Sequence, residues 1–143
     1  YAPENLAVVN NALASVTTEG TSTRVFAGAP YRSAGKTGTA QAVGIAAGGR
    51  YNAAKMEEGR RDHALYMAYA PADDPKIALA VIVENAGFGA AHAAPIARRV
   101  FDYWLLGQYP SEADMAAVQV GQAAAPIGQP RKIDEVSWPG TAP

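Results

Sequence analysis

The chain has no cysteine in its 143 residues, which removes disulfide cross-links and thiolate–metal chemistry. Histidine is almost as scarce. Its two copies, His63 and His92, have no Asp or Glu at ligand spacing, so no metal site is expected. Charge is thin: 17% of residues carry it, Lys and Arg number 12 against 13 Asp and Glu, and the net charge is -1. No basic stripe stands out, so no nucleic-acid partner is expected. No apolar run reaches the length of a membrane span, and no leader pattern of basic, apolar and small residues appears. The first residue is Tyr1 rather than Met, which reads as a fragment or processed piece of a longer chain. Against these lacks, 49% of residues are apolar, enough for one domain with a buried core.

Pro3 and Glu4 open a helix, and Leu6, Val9, Leu13 and Val16 recur at helical spacing. This predicts a helix over 3–16 that stops before the polar patch Thr17 to Gly20. Thr21-Ser22-Thr23 supplies caps for a short helix through Phe26, which Gly28-Ala29-Pro30 breaks. Residues 31–43 read as a strand and 44–59 as a long loop ending in mixed charge. Residues 63–70 and 76–84 read as the two strands of an antiparallel hairpin, joined through Pro71-Ala72-Asp73-Asp74-Pro75. Both faces of the second strand are apolar. Its Ala78 and Ala80 predict close packing of a helix on a sheet covered on both sides. A helix over about 92–106 is predicted to bury Ile96, Val100, Phe101 and Trp104 and to turn Arg98, Arg99 and Asp102 outward; Gly107 ends it. A short helix is predicted over 111–119. Gly, Gln, Ala and Pro dominate beyond Gly121, the composition of a flexible tail.

The stretch richest in chemistry is Ala34-Gly35-Lys36-Thr37-Gly38-Thr39-Ala40-Gln41, and three motifs overlap in it. Gly35-Lys36-Thr37 spells the end of a nucleotide P-loop. Position 30 is proline where that motif needs glycine, and strand-like residues follow where it needs a helix. Ser33-Ala34-Gly35-Lys36 spells the Ser-x-x-Lys of serine acyl-enzymes. That pair works one helical turn apart, whereas residues three apart on a strand face opposite ways, so Ser33 and Lys36 are not expected to meet. No serine sits in a Gly-x-Ser-x-Gly elbow. The third motif is Lys36-Thr37-Gly38 itself. Alone it also fits a plain strand edge whose lysine discourages aggregation.

The flanks of that motif are more specific. Lys-Thr-Gly is one of three motifs shared by penicillin-binding proteins and serine β-lactamases. From Asn5-Leu6-Ala7-Val8-Val9-Asn10 onward the chain resembles the class B penicillin-binding proteins, and within them the penicillin-binding protein 2 group of elongation transpeptidases. The resemblance continues, in order, through Arg24-Val25-Phe26-Ala27-Gly28, Gly35 to Gln41, Arg61-Asp62-His63-Ala64-Leu65 and Tyr69 to Ala78. It closes with Val83-Glu84-Asn85 and Ala94-Pro95-Ile96-Ala97-Arg98, about three quarters of the way along the chain. The resemblance implies a D,D-transpeptidase that cross-links peptidoglycan stem peptides through a serine acyl-enzyme, is acylated by β-lactams and needs no cofactor. It implies Lys36 as the catalytic cation, which also attracts the substrate carboxylate. Thr37, Gly38 and Thr39 become substrate-binding residues, with Thr39 N–H in the oxyanion hole. Implied partners are the stem peptide, β-lactams, the remainder of the transpeptidase domain and elongation-machinery proteins, on the periplasmic side of the bacterial inner membrane.

The family's Ser-x-x-Lys nucleophile helix and Ser-x-Asn loop lie upstream of its Lys-Thr-Gly strand. This chain has no Ser-x-Asn, and its only Ser-x-x-Lys is the one at Ser33. The expectation is therefore part of an α/β transpeptidase domain of the penicillin-binding protein and serine β-lactamase type, an antiparallel sheet with helices on both faces. Residues 1–107 would be the C-terminal part of that domain and 108–143 a largely flexible extension. The isolated chain would be inactive. The rival readings are a non-catalytic interaction module of the same fold and a P-loop-like nucleotide-binding domain.

Overall fold

A computed structural model describes residues 1–44, 52–122 and 124–136. Helix α1 (Pro3–Thr18) starts on Pro3 and Glu4, where a missing N–H costs nothing and an acid meets the positive end of the helix dipole. It runs past the expected stop at 16. Thr17, read as a breaker, satisfies its hydroxyl on Ala14 O at 3.0 Å and Ser33 O at 2.7 Å, so it stays helical and buried. The short helix α2 (Thr23–Phe26) follows.

Strand β1 (Ala34–Ala40) is shorter than the predicted 31–43 because both flanks bond elsewhere. Arg32 O accepts from Ala72 N at 2.8 Å, and Ala42 N donates to the Asp62 carboxylate at 3.2 Å. Strands β2 (His63–Ala70) and β3 (Ile77–Val83) form the expected hairpin. The sheet order is β1-β2-β3 and both pairings are antiparallel, so Lys36 lies beside Met67 and Met67 beside Ala80. Of the predicted loop, residues 45–51 lie outside the described residues; 53–55 and 58–60 form 3-10 turns.

The alternation of β2 decides the two faces. Ala64, Tyr66, Ala68 and Ala70 are buried against α2 and α4 (Ala94–Leu106), which follows the single turn α3 (Gly89–His92). The alanines that admit a helix are therefore those of β2, facing Ala93, Ala94 and Ala97, and not Ala78 and Ala80 of β3, which are exposed. Phe26 stacks on Tyr66 at 6.2 Å, and Tyr31 meets Phe101 edge-on at 6.2 Å. Such pairs each add about 0.5–1.5 kcal/mol beyond the area they bury. On the opposite face, α1 is tied to β2 by Tyr69 Oη donating to Asn10 Oδ1 at 3.0 Å. The arrangement is the expected α/β one, an antiparallel sheet with helices on both faces. Met67 and Ile82, also on α1's side, remain 56% and 65% exposed.

Helix α4 reverses the predicted orientation. Of its expected apolar stripe only Phe101 is buried, while Ile96, Val100 and Trp104 are exposed. Arg98 and Asp102 turn inward instead, as a pair with Nε 2.9 Å from the carboxylate. The Arg98 guanidinium also donates to the carbonyls of Val25 and Ala27 at 3.2 Å each, so α2 and the residue just after it supply the acceptors that make an inward arginine tolerable. Gly107 ends the helix in the left-handed region (φ 62°).

After Gly107, β4 (Gln108–Tyr109) leads into α5 (Glu112–Gln119), capped by Ser111 Oγ accepting from Asp114 N at 3.0 Å. Past Gly121, where composition reads as a tail, β5 (Arg131–Lys132) pairs antiparallel with β4. Arg99 holds both α5 and this segment to α4, with its guanidinium 2.6 Å from buried Asp114 and 3.1 Å from Ala124 O. Residues 123 and 137–143 lie outside the described residues.

Candidate active site on the edge strand

Lys36, Thr37, Gly38 and Thr39 all lie on β1, an edge strand whose outer side has no strand partner among the described residues. Lys36 is exposed, and its ammonium donates to Thr37 O at 2.7 Å. Thr37 and Thr39 share the other face of the strand, half-buried and exposed respectively. Thr37 Oγ1 lies 3.4 Å from Thr21 Oγ1, which comes from the turn between α1 and α2. The edge strand thus carries a cation on one face and a short row of hydroxyls on the other, donors suited to a carboxylate.

Glycine matters at two points around this strand. A Cβ on Gly38 would lie 3.2 Å from Leu65 Cβ, tighter than side chains normally pack. Gly89, at the start of α3, rests directly on the backbone of the Gly38–Leu65 pair. A Cβ there would collide with the Leu65 carbonyl oxygen and come within 2.6 Å of the Gly38 carbonyl oxygen. The close approach of α3 therefore supports β1 at Gly38.

The other candidates resolve differently. Ser33 is 2% exposed, with its hydroxyl unpartnered, while Lys36 reaches along the strand to Thr37; the two do not come together. A strand follows Lys36-Thr37, so the helix that a P-loop needs is absent here. His63 accepts from Asn85 N at 3.0 Å through Nδ1, a structural contact at the start of β2. His92 ends α3 rather than opening a helix, and is exposed. No cluster of metal-ligating side chains occurs among the described residues.

A cavity of about 420 Å³ lies between the loop after α2 (Ala27, Gly28, Pro30), α4 and the 108–130 segment, away from Lys36–Thr39. Its charges serve the fold: Arg98 is held by Asp102 and two carbonyls, and Arg99 by Asp114, Pro95 O and Ala124 O.

Residues 1–102 match the family described as Penicillin binding protein transpeptidase domain. The chain belongs to the penicillin-binding protein transpeptidase family. It is 42% identical over 118 residues to peptidoglycan D,D-transpeptidase MrdA of Haemophilus influenzae, covering 82% of this chain and 17% of that protein. Among solved structures it is similar to Pseudomonas aeruginosa PBP2 in complex with WCK 5153. The TM-score there is 0.59 and the identity 39%, over 73% of this chain and 20% of that one. PBP2 from Helicobacter pylori, in a complex with MreC, is also similar (TM-score 0.57, 25% identity, 73% of this chain and 18% of that one). The chain thus spans about a fifth or less of the relatives it matches. Within this transpeptidase family chain, the fold and the Lys-Thr-Gly strand were legible in sequence. Thr21 and Gly89 were not: Thr21 reads locally as a cap, and nothing in a linear pattern links it to Thr37, sixteen residues away.

Proposed function

We propose that this chain forms one wall of the active site of a peptidoglycan D,D-transpeptidase. The observation that carries the reading is the placement of Lys36-Thr37-Gly38-Thr39 on an outward-facing edge strand. An extended peptide can pair with such an edge as an added strand. In this reading Lys36 attracts the terminal carboxylate of the stem peptide, or of a β-lactam, and orients the proton-relay groups. The hydroxyls of Thr37 and Thr39 bind the carboxylate, and bare Gly38 lets the substrate backbone approach. Thr39 N–H faces the carbonyl oxygen where negative charge develops; one such donor contributes about 2.7–4 kcal/mol to the transition state. The attacking serine, its lysine partner and the Ser-x-Asn loop are supplied by the remainder of the domain, which packs on the face bearing Met67 and Ile82. The whole protein works at the periplasmic face of the bacterial inner membrane with elongation-machinery proteins, as the H. pylori PBP2 complex with MreC suggests by similarity. Among the described residues no helix is long and apolar enough to cross a membrane.

Labelled penicillin tests this in the full-length protein and in the isolated chain. Lys36→Ala in the full-length protein is expected to slow acylation about 100-fold or more, the scale of losing one charged group aligned with the reacting centre. The isolated chain is expected to show no adduct by intact mass. An unchanged acylation rate in Lys36→Ala would make the strand scaffolding and favour a non-catalytic module. A stoichiometric adduct on the isolated chain would place a nucleophile within it.

A further inference from the structure

We infer that Thr21 is a third hydroxyl of the carboxylate subsite and helps set its preference for an anionic substrate end. The inference rests on the reading of β1 as the substrate wall. Thr21 is exposed, and its Oγ1 stands 3.4 Å from Thr37 Oγ1. Hydroxyl pairs bond best at about 2.5–3.0 Å. At 3.4 Å neither group is saturated by the other, and a carboxylate oxygen can bridge both. The Lys36 ammonium, on Thr37 O at 2.7 Å, brings positive charge to the same residue.

The turn is built to present this one hydroxyl. Gly20 packs so closely on α1 that a Cβ would fall 2.7 Å from Val16 Cα. Ser22 is fully buried and donates its N–H to Val16 O at 3.0 Å. Thr23 uses its own hydroxyl on Gly20 O at 2.8 Å. Of the three consecutive hydroxyl residues, Thr21 is exposed and has its hydroxyl next to a β1 side chain, that of Thr37. Neighbours on both sides are fixed, so the hydroxyl is held in place before any ligand arrives, which lowers the ordering cost of binding. Two segments far apart in sequence thereby converge on one anion position.

The test uses the full-length protein and compares acylation by a penicillin bearing its free carboxylate with acylation by the methyl ester of the same penicillin. Thr21→Val is expected to lower the acid-to-ester rate ratio about fivefold, equivalent to about 1 kcal/mol. Thr21→Ser restores the ratio to within about twofold. On a Thr37→Val background, Thr21→Val costs less than about twofold, because the two hydroxyls share one ligand. Equal slowing with acid and ester would make the turn merely structural and overturn the inference, as would an unchanged ratio. Lys36→Ala and Thr37→Val separate the two levels. If both leave the acid rate untouched, the reading of β1 as the substrate wall fails. If both slow it while Thr21→Val does not, only the role of Thr21 fails.

Discussion

Tyr31 donates its hydroxyl to Asp102 Oδ1 at 2.7 Å from within the aromatic cluster of Phe26, Tyr66 and Phe101. Burial, and then the neighbouring carboxylate, push its ionisation far above the ordinary 10.0. The unfolded chain ionises this phenol near pH 10 while the folded chain keeps it neutral. Its contribution to stability is therefore complete below pH 10 and is lost as pH rises beyond it. Burial raises the Tyr66 phenol in the same direction, with Ser22 opposing. Tyr31→Phe is expected to flatten the alkaline fall in stability without abolishing it, measured as denaturant midpoints between about pH 9 and 11.5. An alkaline limb that stays unchanged would show that Tyr31 ionises as readily in the folded protein as in the unfolded chain, and would contradict this. Ser33 illustrates the opposite kind of residue, whose fate was legible beforehand. Strand alternation separates it from Lys36, and its 2% exposure removes it from solvent.

Among the elements, α4 departs most from its sequence pattern. A helical wheel assigns its large apolar residues inward, yet Ile96, Val100 and Trp104 face out while Arg98 and Asp102 lie within. Periodicity marks a stripe but cannot weigh it against a neighbour. The carbonyls of Val25 on α2 and of Ala27 just after it, together with Tyr31, give the charged pair partners that an apolar stripe would have left unsatisfied. Removing one member of a buried pair strands the other. Arg98→Ala is therefore expected to cost about 3–5 kcal/mol, whereas Arg98→Met with Asp102→Leu recovers most of that loss. Chemical-denaturation midpoints of the two variants check both statements, and a double variant no more stable than the single would contradict them. The β2–β3 hairpin was legible almost to the residue, because alternation and a proline-bounded turn are local signals. Which alanines met a helix was not, because β2 and β3 both offered them.

At the scale of the molecule, one sheet face is finished and the other is not. Tyr66, Phe26 and Phe101 close the face under α2 and α4, while Met67 and Ile82 stand more than half exposed on the face that α1 only partly covers. The first half of α1 is in the same condition, with Val8 68% and Val9 53% exposed. Apolar surface of this kind is normally met by another protein surface. The isolated chain is expected to self-associate at micromolar concentration, and Met67→Lys with Ile82→Lys to shift it toward monomer. Sedimentation velocity distinguishes the two, and a monomeric parent chain would contradict the expectation.

The sequence by itself determined α1, α2, α4, α5 and the strands β1 to β3, because helix caps, strand alternation and glycine stops act over a few residues; α3, β4 and β5 are too short to leave such a mark. It also placed Lys36-Thr37-Gly38-Thr39 on a strand, and so separated them from Ser33. Only the tertiary structure decided which side of α4 and which alanines face the core, since that depends on acceptors and small surfaces contributed by distant segments. Only the tertiary structure brought Thr21 to Thr37 and set Gly89 against Gly38, because chain reversal and close backbone approach leave no periodic mark in the sequence.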